Sequence, residues 1–147
     1  MISLRNNTFI EIISVLFIFL FTYTSLTKLM NTAGFIAALK RSPMLANSAA
    51  IIAWTIILAE LIVVLLLLYS PLRAIGFITS FILMLSFTVY IGYMIATASS
   101  LPCSCGGILQ ELSWKNHFLL NIGLTILAAL GLYLQRKKLN TKQPTLI

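Results

Sequence analysis

The sequence predicts an all-α integral membrane protein: a four-helix bundle of membrane spans, with a short interfacial helix between the first two spans. Of its 147 residues, 60% are hydrophobic and only 9% are charged, whereas soluble domains carry about 25% charged residues. The charges also lie at the edges of long apolar runs, and none occurs between Arg73 and Glu111. A membrane helix needs about 20 apolar residues. The chain therefore has room for four spans in a single membrane domain, 1–147, and none for a separate soluble domain.

The predicted spans follow the apolar runs, at about residues 9–29, 48–69, 74–96 and 114–135. The first run is longer than the apolar region of a typical signal peptide, so we predict a retained span. Ser70 and Pro71 break the apolar pattern between the second and third spans. Ser113 is a suitable N-cap for the fourth span, because its hydroxyl can accept a hydrogen bond from the first helical turn.

The segment between the first two spans is too polar to cross the membrane and too apolar to remain in water. Phe35, Ile36 and Leu39 can share one face of a short helix at the membrane surface. Lys40 and Arg41 would then face water. Pro43 follows them and would prevent the helix from continuing.

The basic residues predict an orientation in the membrane. The net charge is +7, but the basic residues are spread over the chain ends and loops, with one cluster at 136–138 after the last apolar run. This distribution favours contact with membrane lipid over nucleic-acid binding. With four spans, six basic residues lie on the side of the two termini and four on the other side. The positive-inside rule then predicts cytoplasmic termini in a bacterial inner (cytoplasmic) membrane and a periplasmic cysteine loop.

The sequence contains only two cysteines, Cys103 and Cys105, and they are followed by two glycines. Cysteines this close in the chain can come within the distance that a disulfide bridges. The small ring would be strained, and strained exposed disulfides are easily reduced. We therefore favour a redox-active pair as the catalytic group. A passive disulfide and a metal site with His117 are the alternatives, although a structural zinc site requires four ligands, and we predict no metal.

Three polar or aromatic residues of the fourth span, Trp114, His117 and Asn121, are spaced so that they share a helix face beside the cysteine loop. His117 is a candidate for stabilising a cysteine thiolate and for carrying a proton. Its alternative role is that of an ordinary polar residue at the membrane interface, where Trp is also favoured. For Asn121, the expected role is a hydrogen bond between helices.

Glu60 lies inside the second span, where a carboxylate is costly and needs a structural or functional reason. Lys28 is a possible partner, but depth argues against it. Glu60 is ~13 Å from the cytoplasmic end of its span at 1.5 Å per residue, and Lys28 is near the outer end of its own. Ser80 is predicted at a closer depth. Glu60 is thus either a neutral, hydrogen-bonded packing residue or a proton-carrying or quinone-site residue.

These residues together resemble the MauE/DoxX family of redox-associated membrane proteins. The resemblance covers nearly the whole chain. It rests on Lys28-Leu29, Phe35 and Ser42-Pro43, on Glu60, and above all on Pro102-Cys-Ser-Cys-Gly-Gly with the downstream Trp114, His117 and Asn121. The resemblance implies a four-helix membrane protein linked to thiol–disulfide metabolism and to a periplasmic thioredoxin-like partner. Some DoxX-named relatives are subunits of a thiosulfate:quinone oxidoreductase, so a quinone is a candidate cofactor.

Three functions remain as hypotheses. The favoured one is a membrane thiol–disulfide redox protein that uses Cys103 and Cys105 to exchange electrons with a periplasmic thioredoxin-like protein. The second is a non-catalytic membrane subunit that anchors or matures an envelope complex. The third is a quinone-linked oxidoreductase subunit. Whether the protein is an enzyme therefore stays open.

Overall fold

The computed structural model describes residues 2–42, 44–97 and 114–142. They form the helices α1 (Ile2–Met30), α2 (Thr32–Lys40), α3 (Ala49–Leu68), α4 (Arg73–Thr97) and α5 (Trp114–Lys142), with short 3-10 turns at Ala46–Ser48 and Ser70–Leu72. No β-strand occurs in these residues. Helices α1, α3, α4 and α5 are long and apolar enough to cross a membrane. The predicted fold class, an all-α membrane protein with four spans, is confirmed.

Two of the long helices extend well beyond the predicted apolar ranges. The first was expected to begin near Phe9 and begins at Ile2, and the last was expected to end near Gln135 and ends at Lys142. Hydropathy marks only the part of a helix that suits lipid. The backbone hydrogen bonds that define a helix continue through polar residues.

The four spans form a closed ring of neighbours. Helix α1 packs against α3 and α5, and α4 packs against α3 and most extensively against α5. An apolar core fills the end of this bundle that carries the chain termini. Its buried members come from all four spans and include Ile10, Phe17, Phe21, Leu67, Phe77 and Ala128. Residues near the start of α1 share this core with residues near the end of α3, as expected when consecutive spans run in opposite directions.

Helix α2 packs beside the beginning of α3. Phe35 and Leu39 are buried there against Ala49, Ala53 and Ile57, while Lys40 and Arg41 are exposed. This is the amphipathic helix that the sequence predicted. It ends at Lys40, before Pro43, which itself lies outside the described residues.

A side-chain cap fixes the start of α2. The Asn31 side-chain oxygen accepts a hydrogen bond of 3.0 Å from the backbone N–H of Gly34. A Cβ atom at Gly34 would lie only 2.5 Å from the Asn31 side chain. The glycine therefore leaves the space that the capping side chain occupies.

The outer surface of the bundle is apolar. Large hydrophobic side chains are exposed on every span, among them Val15, Phe19, Ile51, Leu65, Val89, Leu119 and Ile126. An exposed apolar surface on this scale is unfavourable in water and favourable in hydrocarbon. It is therefore the surface that contacts lipid.

A close contact between α4 and α5 yields a stability prediction. A Cβ atom at Gly131 would lie 2.5 Å from the ring of Phe77, and that ring is fully buried, so it has no free space to move into. We expect Gly131→Ala to lower the free energy of unfolding by about 1–3 kcal/mol through overpacking. The measurement is thermal or denaturant unfolding of the purified protein in one detergent.

The matched control is Gly123→Ala on the same helix, where nothing lies within 4 Å of the added Cβ atom. It should be neutral or slightly stabilising, because alanine favours helix more than glycine does. Equal effects of the two substitutions would contradict the close packing at Phe77.

Candidate functional site

A cavity of about 380 Å³ lies between the spans. Its walls come from the second half of α1, from α2, from the middle of α3, from the second half of α4 and from the first half of α5. It therefore occupies the half of the bundle opposite the apolar core, at the end where residues 98–113 join α4 to α5. Most of its walls are apolar, and its charged and strongly polar members are Lys28, Glu60, His117 and Asn121. These four residues were all singled out from the sequence.

Lys28 and Glu60 form a buried ion pair on the cavity wall. The Lys28 Nζ donates a hydrogen bond to Glu60 Oε1. Lys28 is only 6% exposed and Glu60 only 1%. The expectation that depth would keep these two residues apart is therefore wrong. Lys28 also does not mark a water-facing end of the first span, because it is buried within the bundle.

Lys28 and Glu60 can meet because the end of α1 and the start of α3 do not lie at the same level in the bundle. Lys28 is in the last turn of α1, whereas Glu60 follows the start of α3 by about 16 Å at 1.5 Å per residue. Contact between them requires the end of α1 to lie deeper in the bundle than the start of α3. Helix α2 follows the end of α1 in the chain and packs beside the first turns of α3.

The alternative partner for Glu60, Ser80, is engaged elsewhere. Its hydroxyl donates a hydrogen bond of 2.7 Å to the Gly76 carbonyl oxygen in its own helix. The Thr24 hydroxyl also lines the cavity, but it donates a hydrogen bond of 3.3 Å to the Phe21 carbonyl oxygen. Glu60 Oε2 is buried and accepts no hydrogen bond from the described part of the chain.

Two aromatic rings complete the surroundings of Lys28. Its Nζ atom lies 5.5 Å from the ring centroid of Phe35, on α2, and 5.5 Å from that of Phe87, on α4. Both distances allow a cation–π attraction. The ammonium group is thus held between one carboxylate and two aromatic rings. It carries three N–H donors, one of which is used in the hydrogen bond to Glu60.

His117 lies in the first turns of α5 and is buried, with 5% of its surface exposed. Its Nδ1 atom is buried and has no hydrogen-bond partner among the described residues. Asn121 lies one turn further along the same cavity wall, and its amide nitrogen donates a 3.0 Å hydrogen bond to the His117 carbonyl oxygen. This bond stays within α5, so the expected role of Asn121 between helices stays a prediction.

The hydrogen bond between helices occurs one turn beyond Asn121. The hydroxyl groups of Thr88 on α4 and Thr125 on α5 are 3.1 Å apart. Each hydroxyl oxygen also lies 2.7 Å from a carbonyl oxygen of its own helix. A hydroxyl has one proton, so the hydroxyl that donates to the other helix gives up the bond to its own carbonyl oxygen. Polar contacts of this kind stabilise helix pairs in lipid by about 1 kcal/mol.

The predicted catalytic pair, Cys103 and Cys105, lies outside the described residues, as do Ser113 and the side chain of Trp114. Their placement relative to His117 therefore stays a prediction. Among the residues that the structure describes, no group of three His, Cys, Asp or Glu side chains could hold a metal ion.

Sequence reasoning missed the cavity and the roles of Phe35, Phe87 and Thr24 in it. One signal was available: Thr24 and Lys28 are four residues apart in α1, as His117 and Asn121 are in α5. Residues at this spacing share a helix face. Two polar faces in otherwise apolar spans indicate that the faces meet inside the bundle.

The comparisons with known proteins were consistent with the sequence resemblance. The family model described as "Methylamine utilisation protein MauE" matches residues 6–134. Neither the curated proteins nor the solved structures gave a match.

Because Lys28 and Glu60 form an ion pair, we expect the effects of substituting them on the free energy of unfolding to be strongly coupled. Lys28→Met or Glu60→Gln alone leaves one buried partner uncompensated, and we expect each to lower the free energy of unfolding by about 3–5 kcal/mol. The double substitution removes both charges, so its loss should be clearly smaller than the sum. Unfolding of the four proteins in one detergent provides the complete mutant cycle.

Lys40→Met is the matched control for the lysine substitution, because Lys40 is exposed. It should change the free energy of unfolding by less than about 0.5 kcal/mol. Additive losses in the double variant would show that Lys28 and Glu60 do not interact.

Proposed function

The chain belongs to the MauE family, and from this membership together with its single pair of cysteines we propose that it is a membrane thiol–disulfide redox protein. Cys103 and Cys105 would exchange electrons with a thioredoxin-like protein of the periplasm. The observation that carries the proposal is that the only two cysteines of the sequence stand two positions apart, between α4 and α5. That connection adjoins the end of the bundle where the polar residues of the cavity are concentrated.

The proposed thiol–disulfide exchange takes place in two steps, in which electrons and protons balance. A thiolate of the pair attacks the partner's disulfide, forms a mixed disulfide and releases one partner thiol. The second cysteine then attacks the mixed disulfide, so that an intramolecular Cys103–Cys105 bond forms and the second partner thiol is released. The pair loses two electrons and two protons, and the partner's disulfide gains them. The reverse sequence of steps oxidises the partner.

His117 is the proposed positioning residue for this chemistry. It stands one turn after the start of α5, and the connection that contains the cysteines leads into that start. An imidazole can take up or release a proton near neutral pH. It can also stabilise a neighbouring thiolate. By their spacing along the sequence, Trp114 and Asn121 are expected on the same helix face, and they are proposed to support His117.

The proposed location is the bacterial inner membrane, with both termini in the cytoplasm and the cysteine segment in the periplasm. The ion pair strengthens the charge argument for this orientation. The four basic residues on the cysteine side are Lys28, Lys40, Arg41 and Lys115. Of these, Lys28 has its charge compensated by Glu60 inside the bundle. The comparison becomes six basic residues against three, in the direction that the positive-inside rule requires.

The redox proposal predicts a trapped intermediate. In cells that express Cys103→Ser or Cys105→Ser, the remaining cysteine cannot resolve a mixed disulfide. At least one of these variants should therefore accumulate a covalent adduct with an envelope protein. The adduct is detected by acid quenching, alkylation and non-reducing electrophoresis. A reductant should cleave it.

The double variant, Cys103→Ser with Cys105→Ser, is the control and should form no adduct. If neither single variant captures a partner and both keep full activity in cells, the redox proposal is wrong. A stoichiometric partner that co-purifies even with the double variant would instead favour the non-catalytic subunit.

The orientation has a separate test. In the Cys103→Ser, Cys105→Ser background, we expect Met44→Cys to react with a membrane-impermeant maleimide in cells whose outer membrane is permeabilised. Lys137→Cys should react only after the inner membrane is disrupted. Both positions are exposed, so access to the reagent depends on the side of the membrane. The opposite labelling pattern would reverse the proposed topology.

A further inference from the structure

The cavity between the spans is open to a ligand from the membrane. Its volume of about 380 Å³ falls within the ~300–1,000 Å³ range of small-molecule sites. Two of its lining residues, Ser86 on α4 and Leu120 on α5, are exposed, so the cavity extends to the lipid-facing surface. A ligand can therefore enter from the hydrocarbon phase.

The ion pair on the cavity wall combines an unused hydrogen-bond acceptor with unused donors. Glu60 Oε1 accepts the bond from Lys28, whereas Glu60 Oε2 is buried and has no partner in the described residues. The bond to Oε1 uses one of the three N–H donors of the Lys28 ammonium group. Because buried polar atoms without partners are costly, the pair favours a ligand that donates to Oε2 and accepts from Nζ.

A hydroxyl group meets both requirements with a single oxygen atom, since it donates through its proton and accepts through its lone pairs. An ether or ketone oxygen only accepts, so it would leave Oε2 unpaired. The charges of Lys28 and Glu60 already compensate each other. An anionic or cationic headgroup would therefore add a charge without a counter-charge in apolar surroundings, which is costly. The ligand group that fits the pair is neutral.

Most of the remaining wall is formed by flexible aliphatic side chains, among them those of Leu83, Met84, Met94 and Leu124. Methionine adapts its shape to irregular neighbours, so these walls suit a mobile hydrocarbon chain. We propose that the cavity binds a neutral lipid alcohol, with its hydroxyl group between Lys28 Nζ and Glu60 Oε2 and its aliphatic chain against the apolar walls. This site is independent of the proposed thiol exchange.

Two kinds of membrane molecule carry such a group: single-chain alcohols and diacylglycerols. His117 can tell them apart. It lines the cavity, and its Nδ1 atom is buried without a partner in the described residues. In the tautomer that carries a proton on Nδ1, this nitrogen can donate to an ester carbonyl oxygen. A diacylglycerol has ester groups, and a single-chain alcohol has none.

The test compares ligands that differ only in their headgroup. The full chain is reconstituted in nanodiscs of phosphatidylcholine, whose headgroup has no hydrogen-bond donor, and is labelled with a hexadecanol that carries a photoreactive diazirine in its chain. Unlabelled hexadecanol should compete with the probe in a saturable manner. Hexadecyl methyl ether keeps the chain and the acceptor but lacks the O–H donor. It should compete about tenfold more weakly, which corresponds to about 1.4 kcal/mol. The anion hexadecyl sulfate and the cation hexadecylamine should also compete more weakly than the alcohol.

Substitutions on α5 locate the bound probe. Leu120→Trp places a large side chain on the cavity wall and should reduce the saturable labelling about tenfold. Leu119→Trp is the matched control, because Leu119 is exposed on the same helix and does not line the cavity, and it should leave labelling unchanged. His117→Phe identifies the kind of alcohol. A weaker competition by dioctanoylglycerol but not by hexadecanol in this variant indicates a diacylglycerol, and unchanged competition by both indicates a single-chain alcohol.

Three results would overturn the proposal. Equal competition by hexadecanol and its methyl ether would show that the site recognises hydrocarbon alone. Stronger competition by the sulfate or the amine would identify a charged ligand. Equal labelling of the variants at positions 119 and 120 would place the bound probe outside the cavity. The comparison of alcohol with ether uses the unchanged chain, so it decides the proposal even if a variant is unstable.

Discussion

The buried ion pair between Lys28 and Glu60 is the interaction on which the open half of the bundle depends. Each charge alone would be prohibitive among apolar helices, so each requires the other. The contact joins the end of α1 to the middle of α3 and fixes the relative height of the two helices. Because α1 ends deeper in the bundle than α3 begins, a space remains beside the first turns of α3, and α2 fills it. Phe35 of α2 packs into it and brings its ring to the ammonium group.

The two halves of the bundle on either side of this pair differ in physical character. The half near the termini is filled by interlocking apolar side chains and close helix contacts, such as Gly131 against Phe77. The other half has a cavity where polar groups remain without partners in the described residues. A protein selected only for stability would fill that space with apolar side chains. Retained polar groups in an open cavity are more typical of a binding or catalytic site.

The proposed redox pair and the cavity are distinct features at one end of the molecule. The cysteines belong to the connection between α4 and α5, and the cavity is built from residues of all four spans and α2. His117 connects the two features, since it is near the start of α5 and lines the cavity.

The sequence by itself determined the four spans and the amphipathic α2, and it singled out four of the polar residues that line the cavity, although not the cavity itself. Hydropathy and helical periodicity are properties of the linear sequence. Residues such as Phe35 and His117 could therefore be assigned to helix faces without tertiary information. The tertiary structure alone decided that Lys28 meets Glu60 and that Ser80 and Asn121 bond within their own helices. Those outcomes depend on the relative heights of the helices, which arise from packing between distant segments and leave no periodic signal in the sequence.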